Sequence, residues 1–142
     1  MSDTVQETAV AATTARLSTL RGNCMGAAVL LIFQFGIGIG VNLYVDVPKN
    51  KSFLPAVFSS ATLAAHAIVA LVLLAAAISA LVRAIRLRRA IAFTSAGLAA
   101  ILVAAFAGAS FVGNASNGPS LTMALATAVA MFCYLAAVYS LR

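Results

Sequence analysis

Between Ala90 and Leu141 the chain reads AIAFTSAGLAAILVAAFAGASFVGNASNGPSLTMALATAVAMFCYLAAVYSL, with no Asp, Glu, Lys or Arg anywhere in the stretch. A helix needs about 20 apolar residues to cross a hydrocarbon core of about 30 Å, so this run is long enough to cross twice. It divides at Gly113-Asn114-Ala115-Ser116-Asn117-Gly118-Pro119-Ser120, a cluster of turn formers whose backbone groups would go unpaired in lipid. The cluster reads as a hairpin loop between spans at about 90–112 and 121–141. Working outward, the chain is again uncharged from Ser52 to Val82 and from Gly22 to Val45. Each of these runs holds one span, at about 58–82 and 24–45. The expected fold is an all-α bundle of four transmembrane helices, a single domain over 22–142 preceded by a polar tail at 1–21.

The alternative membrane architecture, a β-barrel, needs strands of about ten residues alternating apolar and polar. Ala67-Ile68-Val69-Ala70-Leu71-Val72-Leu73-Leu74 does not alternate. Composition agrees with a lipid solvent: of 142 residues 63% are hydrophobic and 8% charged, against roughly 25% charged in a soluble domain, and the mean hydropathy is +1.08.

The basic residues set the expected orientation. Arg16 and Arg21 precede the first span, Arg83, Arg86, Arg88 and Arg89 lie between the second and third, and Arg142 follows the fourth. The opposite side has only Lys49 and Lys51, beside Asp46. Such a bias close to helix ends is a positive-inside signal and puts both termini in the cytoplasm, in a bacterial inner membrane. The net charge of +6 then reflects topology determinants lying against anionic lipid heads. It does not suggest a nucleic-acid surface, because the arginine loop is short and tethered at both ends.

The tail, Thr- and Ala-rich with Asp3 and Glu7 near its start, is expected to be disordered or loosely helical. The first apolar run is a full span and reads as retained, not as a cleaved signal. Arg21-Gly22-Asn23-Cys24 lacks the apolar residues that precede a lipid-modified cysteine. Cys24 and Cys133 differ in depth and face a reducing side, so both read as small packing residues. Asn50-Lys51-Ser52 and Asn114-Ala115-Ser116 match the glycosylation sequon, but alanine- and arginine-rich composition without tryptophan suggests a bacterial chain in which sequons are idle.

Helices in lipid associate through close backbone approach at small residues. Gly36 and Gly40 form a small-xxx-small pair on the first span, expected to pack within the bundle or to form the seam of a homo-oligomer. Ala100, Ala104 and Gly108 make a similar ridge on the third span, and Ala126 and Ala130 on the fourth. Gly38 shares a face with Gln34 and, one turn on, Asn42.

Polar residues at membrane depth gather toward the outer half: Asn42 about one turn deep, His66 about two, Gln34 near the middle, with Thr62, Ser110, Thr122 and Asn114 at the outer edge. An ionisable residue inside a span marks a functional site by default. Neutral imidazole is a common ligand of haem iron. With one histidine per chain, such a ligand would be completed by Met123, by Met131 or by a second His66. The alternative is a clamp in which His66 hydrogen-bonds Gln34 or Asn42. No catalytic or metal constellation is found: all three acids lie outside the spans, one histidine has no buried carboxylate beside it, and zinc needs three or four ligands.

The string Phe33-Gln34-Phe35-Gly36 through Gly40-Val41-Asn42-Leu43-Tyr44-Val45 and Pro48, His66 early in the next span, the arginine-rich loop and Gly108-Ala109-Ser110-Phe111-Val112-Gly113-Asn114 resemble small four-helix membrane proteins of actinobacteria, uncharacterised in activity. The layout is also distantly similar to one four-helix half of haem A synthase, where histidines on the second and fourth helices hold haem. Here the fourth span offers Met123 and Met131 instead, and the first lacks the acidic residue of that enzyme. Two functions are expected from these readings. One is a structural or accessory subunit or assembly factor, in a homo-oligomer or a larger membrane complex. The other is a protein that binds haem or a quinone in the polar cluster around His66.

Overall fold

Residues 2–45, 52–114 and 117–142 are described by a computed structural model. They form five helices: α1 (Ser2–Tyr44), α2 (Phe53–Val57), α3 (Ala61–Leu87), α4 (Ile91–Asn114) and α5 (Asn117–Ser140). All but α2 are long and apolar enough to cross a membrane. The fold is therefore the all-helical, four-span architecture of a multi-pass membrane protein. α1 lies against α3 and α5, and α4 lies against the same two helices. The four spans thus stand at the corners of a square, with sequence neighbours antiparallel, and α2 rests on α4 and α3.

Three boundaries differ from the sequence expectation, each for a local reason. The tail is continuous with the first span: α1 is one helix of 43 residues, about 65 Å long, twice the hydrocarbon thickness. Its first turns are continuous with a membrane helix, so they need no nucleus of their own. Good helix formers such as Gln6, Glu7, Ala11, Ala12 and Ala15 then propagate it. The hydroxyls of Thr14, Ser18 and Thr19 donate back to the carbonyls of Val10 and Ala15. None of the described side chains from Gln6 to Thr19 is buried, so this stretch projects beyond the core.

Secondly, the second span starts at Ala61, and the residues before it form the separate turn of α2. Ser52 caps α2 with extended backbone and Pro55 sits in its first turn, where a missing N–H costs nothing. Thirdly, the expected loop at 113–120 is shorter. α4 continues to Asn114 and α5 starts at Asn117, because Pro119 again falls in a first turn and Gly118 and Ser120 join the helix. The sequon Asn50-Lys51-Ser52, the lysines at 49 and 51 and Asp46 lie wholly or mainly outside the described residues, as do Ala115 and Ser116 of the other sequon and the Asn114 side chain.

The two halves of the bundle differ in density. In the half holding the α3–α4 turn, Leu20, Cys24, Ala27, Ala28, Leu31, Leu73, Ala77, Ala80, Ala84, Ala130, Tyr134 and Ala137 form one contiguous core. Alanine dominates it because small side chains let helices approach closely without a hydrophobic driving force between them. Tyr134 fills the centre and is 0% exposed. A β-carbon at Gly97 would stand 2.8 Å from its ring, so α4 carries a glycine where the ring passes. Both cysteines are free and buried.

α3 ends in a left-handed residue, Arg88 at φ 51°, and Ala90 follows at φ 55°. The N–H groups of Arg88 and Arg89 close the helix on the carbonyls of Ile85 and Ala84, and the Ala90 carbonyl accepts the Thr94 N–H to begin α4. Two non-glycine residues in this region turn the chain within three residues. Arg83, Arg86, Arg88 and Arg89 are all exposed around this turn.

Candidate functional site

The other half of the bundle is not filled. A cavity of about 470 Å³ lies between the four spans, within the 300–1,000 Å³ range of small-molecule sites. Leu31, Leu73 and Ile101 form its floor and belong to the dense core as well. Leu54, Val57 and Phe58, from α2 and its C-cap, lie at its other end, where Ala56 and Val57 are buried together with Val112. Its walls are overwhelmingly apolar. Gln34, Asn42, His66, Ser120 and Thr127 are the polar exceptions.

Gln34, Gly38 and Asn42 fall on one stripe of α1 because they are spaced by four residues. Gln34 is 8% exposed. Its Nε2 donates to the backbone carbonyl of His66 at 3.0 Å and lies 3.2 Å from His66 Nε2. An amide nitrogen cannot accept, so in this contact His66 Nε2 holds the lone pair and the ring proton sits on Nδ1. The imidazole presses against bare backbone: a β-carbon at Gly38 would meet His66 Cε1 at 3.1 Å. Two polar atoms remain buried without a partner here, the acceptor Gln34 Oε1 and His66 Nδ1. Leaving such groups unpaired costs about 1–3 kcal/mol each.

One end of the cavity has a second polar pair, in which Ser120 Oγ donates to Asn42 Oδ1 at 3.1 Å. Thr127 and Ser110 return their hydroxyls to Met123 and Phe106 carbonyls within their own helices, and Thr122 does likewise to Gly118. They are therefore self-satisfied.

The structure brings together Gln34, His66, Asn42 and Met123, all lining one cavity. Met131 lies apart, against the dense core. Gly108 adjoins Met123, whose Sδ would lie 3.3 Å from a β-carbon there, so α4 and α5 approach closely at this level. Gly36 and Gly40 are brought against no other helix: a β-carbon at either meets nothing within 4 Å. Of the residues expected to hold haem, His66 and Met123 line this one cavity, and His66 Nε2 already lies within hydrogen-bond distance of Gln34 Nε2. Among the described residues no group of three or more His, Cys, Asp or Glu could hold a metal ion.

Polar groups also occur in the dense half, where the sequence showed none of interest. Tyr134 Oη is buried without a partner, Thr94 bonds the Ala90 and Ile91 carbonyls, and Asn23 reaches Ser79 at a long 3.5 Å. Sequence reading missed Ser120 as a partner of Asn42 and α2 as an end wall. Pro55 three residues after Ser52 was the available signal for α2. Compared with protein-family models, curated proteins and solved structures, the chain matches none.

Proposed function

We propose that this is a small accessory protein of the bacterial cytoplasmic membrane that holds a quinone-type molecule in the cavity beside Gln34 and His66. The observation that carries the reading is a largely apolar cavity of about 470 Å³ with Gln34 and His66 in its wall. A flat apolar ring bearing carbonyl or hydroxyl oxygens complements that wall. Its oxygens find Gln34, Asn42, His66 and Ser120 as polar side chains in an otherwise apolar lining. The apolar walls take the ring faces, as in small-molecule sites generally. Quinone is favoured over haem because the hydrogen bond at His66 Nε2 can then remain in place.

The arginine distribution supports cytoplasmic termini. In that orientation the cavity lies in the outer half, and the Arg83–Arg89 turn faces anionic headgroups. An accessory role accords with a site that offers binding groups but no acid, base or nucleophile set. Exposed apolar surface on every span, including Phe106 and Phe132, is available to lipid or to neighbouring subunits.

The test is organic extraction of the protein purified in mild detergent, followed by ultraviolet spectra before and after borohydride reduction. The expected result is a reducible quinone spectrum at about one per chain, and its loss in Gln34→Leu. A protein that carries no quinone and takes up none from added short-chain ubiquinone overturns the proposal. A Soret band would favour haem instead.

A further inference from the structure

The geometry points to the gap between α3 and α4 as a lateral opening for a long apolar tail, so the ligand is a tailed quinone drawn from the bilayer, not a free ring arriving from water. This inference rests on the quinone reading above and adds the route and the tail.

Three sides of the cavity are closed. Gln34 and Gly38 meet His66 between α1 and α3. Asn42 bonds Ser120 between α1 and α5. Gly108 receives Met123 between α4 and α5. α2 lies over the far end, its Val57 buried with Val112 and packed by Ala67. The fourth side is different. α3 and α4 are joined by a three-residue turn, yet they share the least contact of the four neighbouring pairs of spans, so they separate as they leave the turn.

The residues along that side line the cavity and are exposed at the same time. On α3 these are Ile68, 54% exposed, and Leu71, 68% exposed. On α4 they are Ala105 and Ala109, both exposed, whose methyl groups leave a slot beside the longer α3 side chains. Phe35 and Ile39 of α1 also line the cavity and are exposed, but the α5 residues there, Met123, Ala124 and Thr127, are covered to half-covered. On the α3–α4 side both flanking helices carry exposed lining residues, whereas the α1–α3 side is bridged by Gln34 and His66. Ile68 and Leu71 lie seven and ten residues into a span of 27, about 10–15 Å along it, so the slot opens at hydrocarbon depth. A polyisoprenoid or alkyl chain is the ligand portion that suits such an opening, because it exchanges one apolar surrounding for another while the polar ring stays at Gln34 and His66.

Ala105→Trp tests this by filling the slot. Binding of a quinone with a long isoprenoid tail and of tail-less duroquinone is measured by equilibrium binding in nanodiscs. Wild type is expected to bind both. In Ala105→Trp the tailed quinone should weaken by about tenfold or more, the scale of a steric clash of about 1–3 kcal/mol, while duroquinone stays within about twofold. Retained duroquinone binding shows that the variant is folded. Phe106→Trp, one residue away on an exposed position, should change neither. Should Ala105→Trp prove unstable, Leu71→Cys carrying a benzophenone label replaces it, and must cross-link the tailed quinone. Equal affinity of Ala105→Trp and wild type for the tailed quinone, equal loss of both ligands, or no cross-link at Leu71 overturns the lateral opening. If wild type binds neither ligand, the quinone reading itself falls.

Discussion

The carboxamide of Gln34 holds a single residue of α3 at two points, with one nitrogen donating to the backbone carbonyl of His66 and lying at hydrogen-bond distance from its ring. α1 and α3 are thus joined by one side chain, 32 residues away in sequence, that reads both main chain and side chain.

An unequal response to substitution follows. His66→Leu removes the ring acceptor but keeps the carbonyl at position 66, so one of the two bonds survives. It should cost about 0.6–1 kcal/mol, the usual size of an interhelical hydrogen bond. Gln34→Leu removes both bonds and should cost about twice as much. Thermal unfolding in detergent measures the two, and a larger loss for His66→Leu than for Gln34→Leu would contradict the double contact.

Glycine to alanine changes should separate the positions by neighbour, not by residue type. Gly97→Ala drives a β-carbon to 2.8 Å from the buried Tyr134 ring and should cost about 1–3 kcal/mol. Gly36→Ala and Gly40→Ala meet nothing and should not lower stability, with a gain of up to about 1 kcal/mol from helix propensity. The same melts decide this. The mass of the detergent complex should be followed in parallel: a smaller particle for the Gly36 and Gly40 variants would identify that face of α1 as a homo-oligomer seam.

Ala90 has positive φ, a conformation that costs an L-residue about 1–2 kcal/mol and glycine almost nothing. Ala90→Gly should raise stability by up to about 1 kcal/mol, since glycine also loses more entropy on folding. Ala90→Val should lower it. A melting temperature that falls in Ala90→Gly would show that the α3–α4 turn does not use this backbone state.

Reporter fusions test the membrane orientation. Fusions after Arg142 or within Arg83 to Arg89 should be active only as cytoplasmic reporters, and an insertion at Asn117 only as an external one, as the arginine bias requires. Labelling of Asn117→Cys exclusively from the cytoplasmic side would reverse the assignment.

The number of spans and the helical class were legible in the chain, because lipid admits few solutions. Without water to satisfy the backbone, an uncharged run of sufficient length must become helical, and the runs ending at Val45, Val82 and Leu141 could be read directly. Four-residue spacing likewise placed Gln34, Gly38 and Asn42 on one face. Their partners were legible only in part: His66 was expected against Gln34 or Asn42, and the choice of Gln34, like Ser120 for Asn42, depends on how two helices rotate and slide against each other, which apolar composition leaves free. The alanine ridges look alike along the chain, yet one end of the bundle closes around Tyr134 and Gly97 while the other remains open at Ala105 and Ala109. That difference arises from where a large ring meets a bare backbone and where α3 and α4 separate. It was decided by tertiary packing, because close approach of helices in lipid depends on pairs of surfaces and not on the composition of either one.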